Sequence, residues 1–154
     1  HTLNKRKLMV FQTKRKQELQ AALEKLEAAE NRVLELEADW QAIQRSVAVA
    51  VMSGDGLFES VSDVFLELLG YHEQQLIGKH HRVLCKPEDA RGEAYIRFWR
   101  ELVTGQVQQG RFLNLGADGQ PVWLEARYLP VLSDKGIVKR IIMIASGTTE
   151  AQPA

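Results

Sequence analysis

Three apolar-patterned segments, separated by two turn sequences of nearly the same form, constrain the fold of this chain most strongly. The segments cover residues 107–115, 121–132 and 137–145, and the turn sequences are Gly-Ala-Asp-Gly at 116–119 and Ser-Asp-Lys-Gly at 133–136. Asp accepts local backbone hydrogen bonds and Gly tolerates positive φ, so each turn sequence favours a chain reversal between neighbouring strands. The pattern predicts a three-stranded antiparallel meander.

Neither face of this meander is purely polar. In its middle strand Leu124, Ala126 and Tyr128 share one face, while Trp123 and Glu125 share the other, because side chains alternate along a strand. The last strand begins with charged residues and ends as a continuous apolar run, which is typical of a strand that is covered on both faces. We therefore expect the preceding residues to supply elements that pack on the sheet.

Two further strands and a helical section precede the meander. Residues 47–52 and 57–61 are short β-type runs around a Ser-Gly-Asp-Gly turn. Ser62 is placed to cap a helix that Gly70 ends. A later helix, residues 94–103, carries an apolar stripe formed by Tyr95, Phe98, Trp99 and Leu102. The sequence predicts an α+β domain with a five-stranded antiparallel sheet interrupted by helices.

The first third of the chain carries a heptad pattern. Residues 18–45 contain no Pro or Gly and are rich in strong helix formers. Apolar side chains recur at the a and d positions of consecutive heptads. The predicted seam has Leu19, Leu26, Val33 and Trp40 at a positions, and Ala22, Ala29, Leu36 and Ile43 at d positions.

The seam predicts a parallel coiled-coil homodimer. Lys25 and Arg32 at g positions would face Glu30 and Glu37 at e positions of a second helix, which agrees with the apolar register. Trp40 is large for a dimer seam, and we expect it where the coiled coil meets the sheet. The alternative is a lone amphipathic helix packed on its own domain. The predicted dimer interface consists of Leu19, Leu26, Val33, Leu36, Trp40 and Ile43.

Charge and composition exclude several classes of function. The 154 residues include 20 basic and 20 acidic side chains, so the chain has no overall attraction for nucleic acid or acidic membranes. One cysteine rules out an intrachain disulfide, and the sequence shows no membrane span or signal peptide, so we expect a cytoplasmic protein.

Four segments follow from these patterns. The basic triplets at 5–7 and 14–16 belong to a solvated lead-in, residues 1–17, ahead of the coiled-coil helix over residues 18–46. The globular domain is expected over residues 47–149, followed by a short tail over residues 150–154.

Several local sequences resemble PAS domains. Residues 61–71, Val-Ser-Asp-Val-Phe-Leu-Glu-Leu-Leu-Gly-Tyr, resemble the PAS signature in which the helix after the second strand ends in Gly-Tyr. Residues 76–82, Phe98-Trp99 and the strand at 122–131 are similar to PAS domains of bacterial methyl-accepting chemotaxis and aerotaxis transducers. The resemblance covers residues 47–149. It implies a PAS fold with strand order 2-1-5-4-3, helices on one face, and a sensory role.

Two departures from the family pattern bear on cofactor and output. Ser62 stands where many members carry Asn, which weakens the case for a flavin. Gly147-Thr148-Thr149 stands where many members carry Asp-x-Thr, which weakens the case for the usual coupling from Asp to a C-terminal helix.

The resemblance also implies a candidate cofactor site at His80 and His81. In haem-containing aerotaxis relatives a histidine of this region coordinates the iron, and His81 matches it, so His81 is the predicted metal ligand if haem b is bound. Trp99 and Trp123 could flank a planar cofactor, although such aromatic residues more often form ordinary core. The alternative for the histidines is one exposed ring and one hydrogen-bonded at a helix start. The cofactor is left open, with flavin the weaker candidate.

Cys85, four residues after His81, invites interpretation as a metal ligand, a redox thiol or a nucleophile. A zinc site needs three or four ligands at defined spacing, and thiol catalysis needs an orienting group and an oxyanion site that the sequence does not display. We interpret Cys85 as a small buried hydrophobe and expect no enzymatic activity.

These features predict a cytoplasmic PAS sensor of a bacterial transducer. A ligand, gas or redox event in a cavity between the middle helices and the sheet would shift the sheet, and with it the packing of the dimeric coiled coil. The signal would pass to an upstream or downstream signalling domain. The alternative is a ligand-free PAS module that serves only dimerisation or interaction.

Overall fold

The computed structural model describes residues 2–148 and divides into one unit up to Ala42 and one from Ile43 onward. Helix α1, Thr2–Ser46, forms the first unit, and its last four residues belong to the second unit. The helix therefore begins sixteen residues before the coiled-coil segment, and the basic lead-in is helical rather than a separate segment. Its sequence explains this, since residues 2–17 lack any helix breaker. The predicted tail, residues 150–154, lies outside the described residues.

Helix α1 exposes five of the six residues of the predicted dimer interface. It contains no buried residue. The exposed fractions are 61% for Leu19, 55% for Leu26, 51% for Val33, 49% for Leu36 and 45% for Ile43, whereas Trp40 is half-buried. A repeated apolar stripe of this kind is what a coiled-coil partner would cover.

The second unit is built on a five-stranded antiparallel sheet. The strands are β1 Ala48–Ser53, β2 Phe58–Val61, β3 Gln108–Leu115, β4 Pro121–Leu132 and β5 Val138–Gly147. Their order in the sheet is β2-β1-β5-β4-β3, which confirms the predicted order. The pairing is irregular at Val51/Met52, between β1 and β2, and at Val131/Leu132, between β4 and β5.

Short helices connect β2 to β3. They are α2 Asp63–Leu69, α3 Glu73–Leu76, a 3-10 helix His81–Leu84, α4 Pro87–Ala90 and α5 Glu93–Val103. Helix α2 begins and ends as its sequence predicts, because the Ser62 hydroxyl accepts a hydrogen bond from the Phe65 N–H and Gly70 adopts a left-handed φ of 78°.

The core lies between these helices and one face of the sheet. On β4 the inward residues are Leu124, Ala126 and Tyr128, as the alternation predicts. The helices contribute Phe65, Leu69 and Leu102, and the neighbouring strands contribute Ala48, Ala50, Met52, Ile141, Met143 and Ala145. Among residues 2–148, no helix combines the length and apolar character needed to cross a membrane.

Ser62 joins α2 to β1 by more than its cap. Its buried hydroxyl also accepts a hydrogen bond from the Val49 N–H at 2.9 Å and donates one to the Val47 carbonyl at 2.8 Å. This single oxygen therefore anchors the start of the sheet to the start of the first helix of the domain.

We expect Ser62→Ala to lower the free energy of unfolding by about 2–3 kcal/mol, because the cap is lost and the buried Val49 N–H is left without a partner. Chemical denaturation monitored by circular dichroism measures this change. Ser133→Ala, in the exposed turn between β4 and β5, is the matched control and should cost less than about 1 kcal/mol. Equal losses in the two variants would contradict the assigned role of Ser62.

Candidate functional site

The backbone fixes the position of His81 at the start of the 3-10 helix. Its N–H donates to the carbonyl of Gly56, in the turn between β1 and β2, at 2.9 Å. His80 caps the helix, because its Nδ1 accepts a hydrogen bond from the Arg82 N–H at 3.0 Å. Gly56 has a φ of 84°, and a Cβ there would lie 2.7 Å from the His80 ring and 2.9 Å from the Trp99 ring. The turn therefore packs directly on the two histidines and Trp99.

The His81 side chain is buried and bridges two tyrosines. Its Nδ1 lies 2.8 Å from the hydroxyl of Tyr95, on α5, and its Nε2 lies 2.8 Å from the hydroxyl of Tyr128, on β4. A neutral imidazole has one N–H and one bare nitrogen, so one tyrosine accepts a hydrogen bond from the ring and the other donates one to it. We call these three side chains the His81 network. It links the 3-10 helix, α5 and the sheet.

The His81 network is uncharged at neutral pH. Burial lowers the pKa of His81 to about 3, with a smaller contribution from neighbouring His80. Burial also raises the pKa of Tyr95 and of Tyr128 above the ordinary value. Both hydroxyls therefore keep their protons, and the imidazole remains a hydrogen-bonding group without a charge.

A cavity of about 420 Å³ lies beside the His81 network. We call it the α5 cavity, since α5 forms one side of it and β3 lies opposite. Asn114 borders it from β3, is 2% exposed, and donates its Nδ2 hydrogen to the Leu84 carbonyl at 3.3 Å. The lining residues are His81, Cys85, Glu88, Asp89, Gly92, Glu93, Ala94, Tyr95, Phe98, Phe112, Leu113, Asn114 and Tyr128.

A second depression, of about 770 Å³, lies elsewhere on the domain. Its lining includes Leu68 of α2 and residues of β3, β4 and β5, among them Gly110 and Gly147. No histidine, tyrosine or cysteine lines it. The α5 cavity is the better candidate for a binding site because buried polar groups converge on it.

The sequence-predicted cofactor residues fall into two places. His80 and Trp99 lie next to His81, with ring centroids 5.2 Å apart for His80 and Trp99 and 5.6 Å apart for His81 and Trp99. Trp123 is not brought to them. It lies on the opposite face of β4 from Tyr128, because alternate residues of a strand point to opposite faces, so it cannot flank one planar group together with Trp99.

A haem held by His81 does not fit this arrangement. Iron coordination needs a ring nitrogen that is free to bind, and both nitrogens of His81 are engaged by Tyr95 and Tyr128. Among the side chains in the described part of the chain, no three His, Cys, Asp or Glu residues are grouped so as to hold a metal ion.

Cys85 is half-buried and unreactive in this setting. Burial raises the pKa of its thiol to about 11, and a nearby carboxylate, Asp89, acts in the same direction. Since the thiolate is the nucleophilic form, very little of Cys85 is reactive at neutral pH.

Sequence reasoning missed Tyr95, Tyr128 and Asn114 as site residues. The sequence patterns place Tyr95 and Tyr128 on apolar faces and assign no role to Asn114. A signal existed, since each is a polar-tipped residue at a position that faces the core, and buried hydroxyls and amides need partners.

The buried, neutral imidazole predicts a loss of stability in mild acid. The pKa of His81 is lower in the folded than in the unfolded chain, so below about pH 6.5 the unfolded chain binds more protons and stability falls as the pH falls. Relative to neutral pH, we expect His81 to account for a loss of about 2 kcal/mol at pH 5. Denaturation of the wild type and of His81→Gln at both pH values measures this difference. NMR of the His81 imidazole measures its pKa independently, and a pKa near the ordinary value for histidine would overturn this prediction.

Comparison with known proteins agrees with the predicted fold. A family model described as PAS fold matches residues 43–153. The biofilm dispersion protein BdlA of Pseudomonas aeruginosa is 38% identical over 105 residues, which are 68% of this chain and 25% of BdlA, so the chain spans about a quarter of that relative.

Solved structures of light-oxygen-voltage (LOV) domains have the same fold. The LOV domain of the blue-light photoreceptor Aureochrome1 in its light state is 25% identical, with a TM-score of 0.59 over 71% of this chain and 88% of that one. A LOV domain studied with a flavin analogue is 23% identical, with a TM-score of 0.61 over 71% of this chain and 84% of that one. The LOV protein of Rhodobacter sphaeroides is 21% identical, with a TM-score of 0.58 over 71% of this chain and 63% of that one. The family match covers most of the chain and agrees with its strand order, so this chain belongs to the PAS family.

Proposed function

We propose that this chain is a sensory PAS module of a bacterial transducer, which takes up a small molecule in the α5 cavity and relays its presence through a dimer of α1. The observation that carries the proposal is the contact between the α5 cavity and the His81 network, since His81, Tyr95 and Tyr128 all line the cavity. The role is one of binding and signalling in the cytoplasm, without catalysis.

The first step of the relay is local. A ligand in the α5 cavity contacts the same tyrosines that hold His81, so its binding favours one arrangement of the His81 network over another. Hydrogen bonds inside a protein are strong and costly to leave unmade, so such a network tends to be fully formed or rearranged as a unit.

The second step crosses the sheet. Tyr128 on β4 pairs with Met143 on β5, and Met143 pairs with Ala50 on β1. Strand β1 begins at Ala48, two residues after α1 ends at Ser46. A shift at Tyr128 therefore has a short path through paired strands to the end of α1. The relay requires that the ligand bind the two states of the dimer with different affinity.

The third step is a change in dimer packing. All residues of the predicted interface except half-buried Trp40 are exposed in the single chain, which supports a partner helix there. Small Ala22 and Ala29 at d positions leave the seam loosely filled, so two packings of similar free energy are accessible. An upstream or downstream signalling domain would read the difference.

Flavin is not the ligand that we propose. One of the similar LOV structures belongs to a blue-light photoreceptor, and another was studied with a flavin analogue. In this chain, however, the charged residues that line the α5 cavity are acidic, and no Lys or Arg of residues 2–148 lines it. The phosphate of a flavin nucleotide would find no cation there. Ser62, the other residue weighed for flavin, uses its hydroxyl to hold Val47, Val49 and Phe65.

One observation favours a ligand-free interaction module as the second candidate. The buried ring of His81 has both nitrogens hydrogen-bonded within the protein, so that side chain needs no ligand to be satisfied. In that case α1 and the PAS domain would assemble subunits without sensing anything.

The proposed dimer predicts that a charge in the seam separates the subunits. We expect Leu36→Glu, at a d position, to weaken dimerisation by at least about a hundredfold, because two carboxylates would be buried against each other. Sedimentation equilibrium measures the change. Leu34→Glu is the matched control, since Leu34 is 63% exposed and lies outside the seam. Equal effects of both substitutions would rule out this seam as the interface.

The proposed relay predicts that filling the α5 cavity alters dimerisation. Ala94→Trp places an indole at a position that lines the cavity, whereas Ile96→Trp places one at an exposed position of the same helix that does not line it. We expect only Ala94→Trp to change the dimer dissociation constant, by about fivefold or more, which is the lower range of allosteric coupling. An unchanged constant in a folded Ala94→Trp protein would favour the ligand-free module.

A further inference from the structure

The charges that border the α5 cavity all have one sign. Glu88, Asp89 and Glu93 are its charged lining residues, and no Lys or Arg within residues 2–148 lines it. The other titratable groups of the lining, His81, Cys85, Tyr95 and Tyr128, are uncharged at neutral pH. A cavity with this electrostatic character attracts cations and repels anions.

Asn114 adds an unmet hydrogen-bond acceptor at the same cavity. Its Nδ2 donates to the Leu84 carbonyl, and this contact fixes the orientation of the amide, since the reverse orientation would set two carbonyl oxygens against each other. Its Oδ1 is then buried without a hydrogen-bond partner among the residues that the structure describes. Buried carbonyl oxygens are rarely left unpaired, and Asn114 lines the α5 cavity, so a ligand that supplies an N–H or O–H donor would satisfy this oxygen after a small shift of the side chain exposes it.

Aromatic rings form much of the remaining wall. Phe98, Phe112 and Tyr128 all line the α5 cavity, with ring centroids 4.8–5.7 Å apart. Their planes stand at 68–90° to one another. Edge-to-face packing of this kind is usual where aromatic residues meet in a core, and it gives the cavity an apolar wall on which the organic part of a ligand can pack.

From these three observations we infer that the ligand of the α5 cavity is an organic cation with N–H donors, of the protonated primary amine class. The ammonium group lies toward Glu93 and its acidic neighbours and donates to the Asn114 Oδ1, and the organic part packs on the aromatic wall. The inference rests on the proposed function in one respect, that the α5 cavity is the sensory site.

The acidic residues have a simpler explanation that accounts for only part of this pattern. Glu88 and Asp89 lie in the first turn of α4, and Glu93 lies in the first turn of α5, where carboxylates stabilise a helix. That explanation leaves the unpaired Asn114 oxygen unexplained, whereas the amine ligand accounts for both the acidic residues and this oxygen.

A matched set of three probes tests the inference. 2-Phenylethylamine, 2-phenylethanol and 3-phenylpropionate have similar size and shape, and at neutral pH they are a cation, a neutral molecule and an anion. Titration of the full chain, followed by amide NMR shifts, gives a dissociation constant for each. We expect the amine to bind at least about tenfold more tightly than the alcohol, and the carboxylate to bind most weakly.

Variants then assign the selectivity to named residues. We expect Glu93→Gln and Asn114→Leu each to reduce amine affinity by about threefold to tenfold while leaving alcohol affinity nearly unchanged. Glu67→Gln is the matched control, because Glu67 is exposed on α2 and does not line the α5 cavity. Circular dichroism confirms that each variant is folded, and Glu93→Gln alone tests the charge if Asn114→Leu fails to fold.

The outcomes separate this inference from the proposed function. Preferential binding of the amine that Glu93→Gln reduces supports the inference. Equal or tighter binding of the alcohol or the carboxylate in the cavity overturns the amine class and keeps the α5 cavity as a ligand site. No binding of any probe at millimolar concentration also overturns the amine class, whereas the relay is judged separately by the Ala94→Trp comparison.

Discussion

The burial of a neutral imidazole between two tyrosine hydroxyls is the interaction on which the rest of the domain depends. Only 2% of His81 is exposed, so its two ring nitrogens need partners within the protein, and a nitrogen left without one would destabilise the fold. Those partners come from α5 and from β4, and the backbone of His81 is held by the turn between β1 and β2. One side chain thereby fixes the distance between the helical layer and the sheet.

The same arrangement explains why the cavity lies where it does. Tyr95 and Tyr128 hold α5 near the sheet at the His81 network, while farther along β3 the wall is completed by Phe112 and by the buried amide of Asn114. The domain therefore has a hydrogen-bonded centre with a cavity beside it. Under the proposed function, a ligand in this cavity would meet groups that already connect two layers of the structure.

Sequence patterns predicted the sheet well because turn chemistry is local. Strand β4 was expected over 121–132 and is found as Pro121–Leu132, since the flanking Asp-Gly and Asp-Lys-Gly turns fix its ends. The site was harder to predict, because its contacts are distant in sequence. His81 and Tyr128 are 47 residues apart, and no pattern along the chain reports that their side chains meet. The prediction that Trp123 flanks a cofactor together with Trp99 has a related weakness, since aromatic character alone does not say which face of a strand borders a cavity.

The pairing of β1 with β5 has a mechanical consequence. Ala48, where the chain enters the sheet from α1, lies opposite Ala145, near the end of β5, so the chain enters and leaves the sheet side by side. Tension applied through α1 and through residues beyond Gly147 would load the antiparallel ladder at that end and open its hydrogen bonds one pair at a time. Such an unzipping geometry yields to much smaller forces than shearing along the strands, so this domain would respond to pulling at its ends as a compliant element.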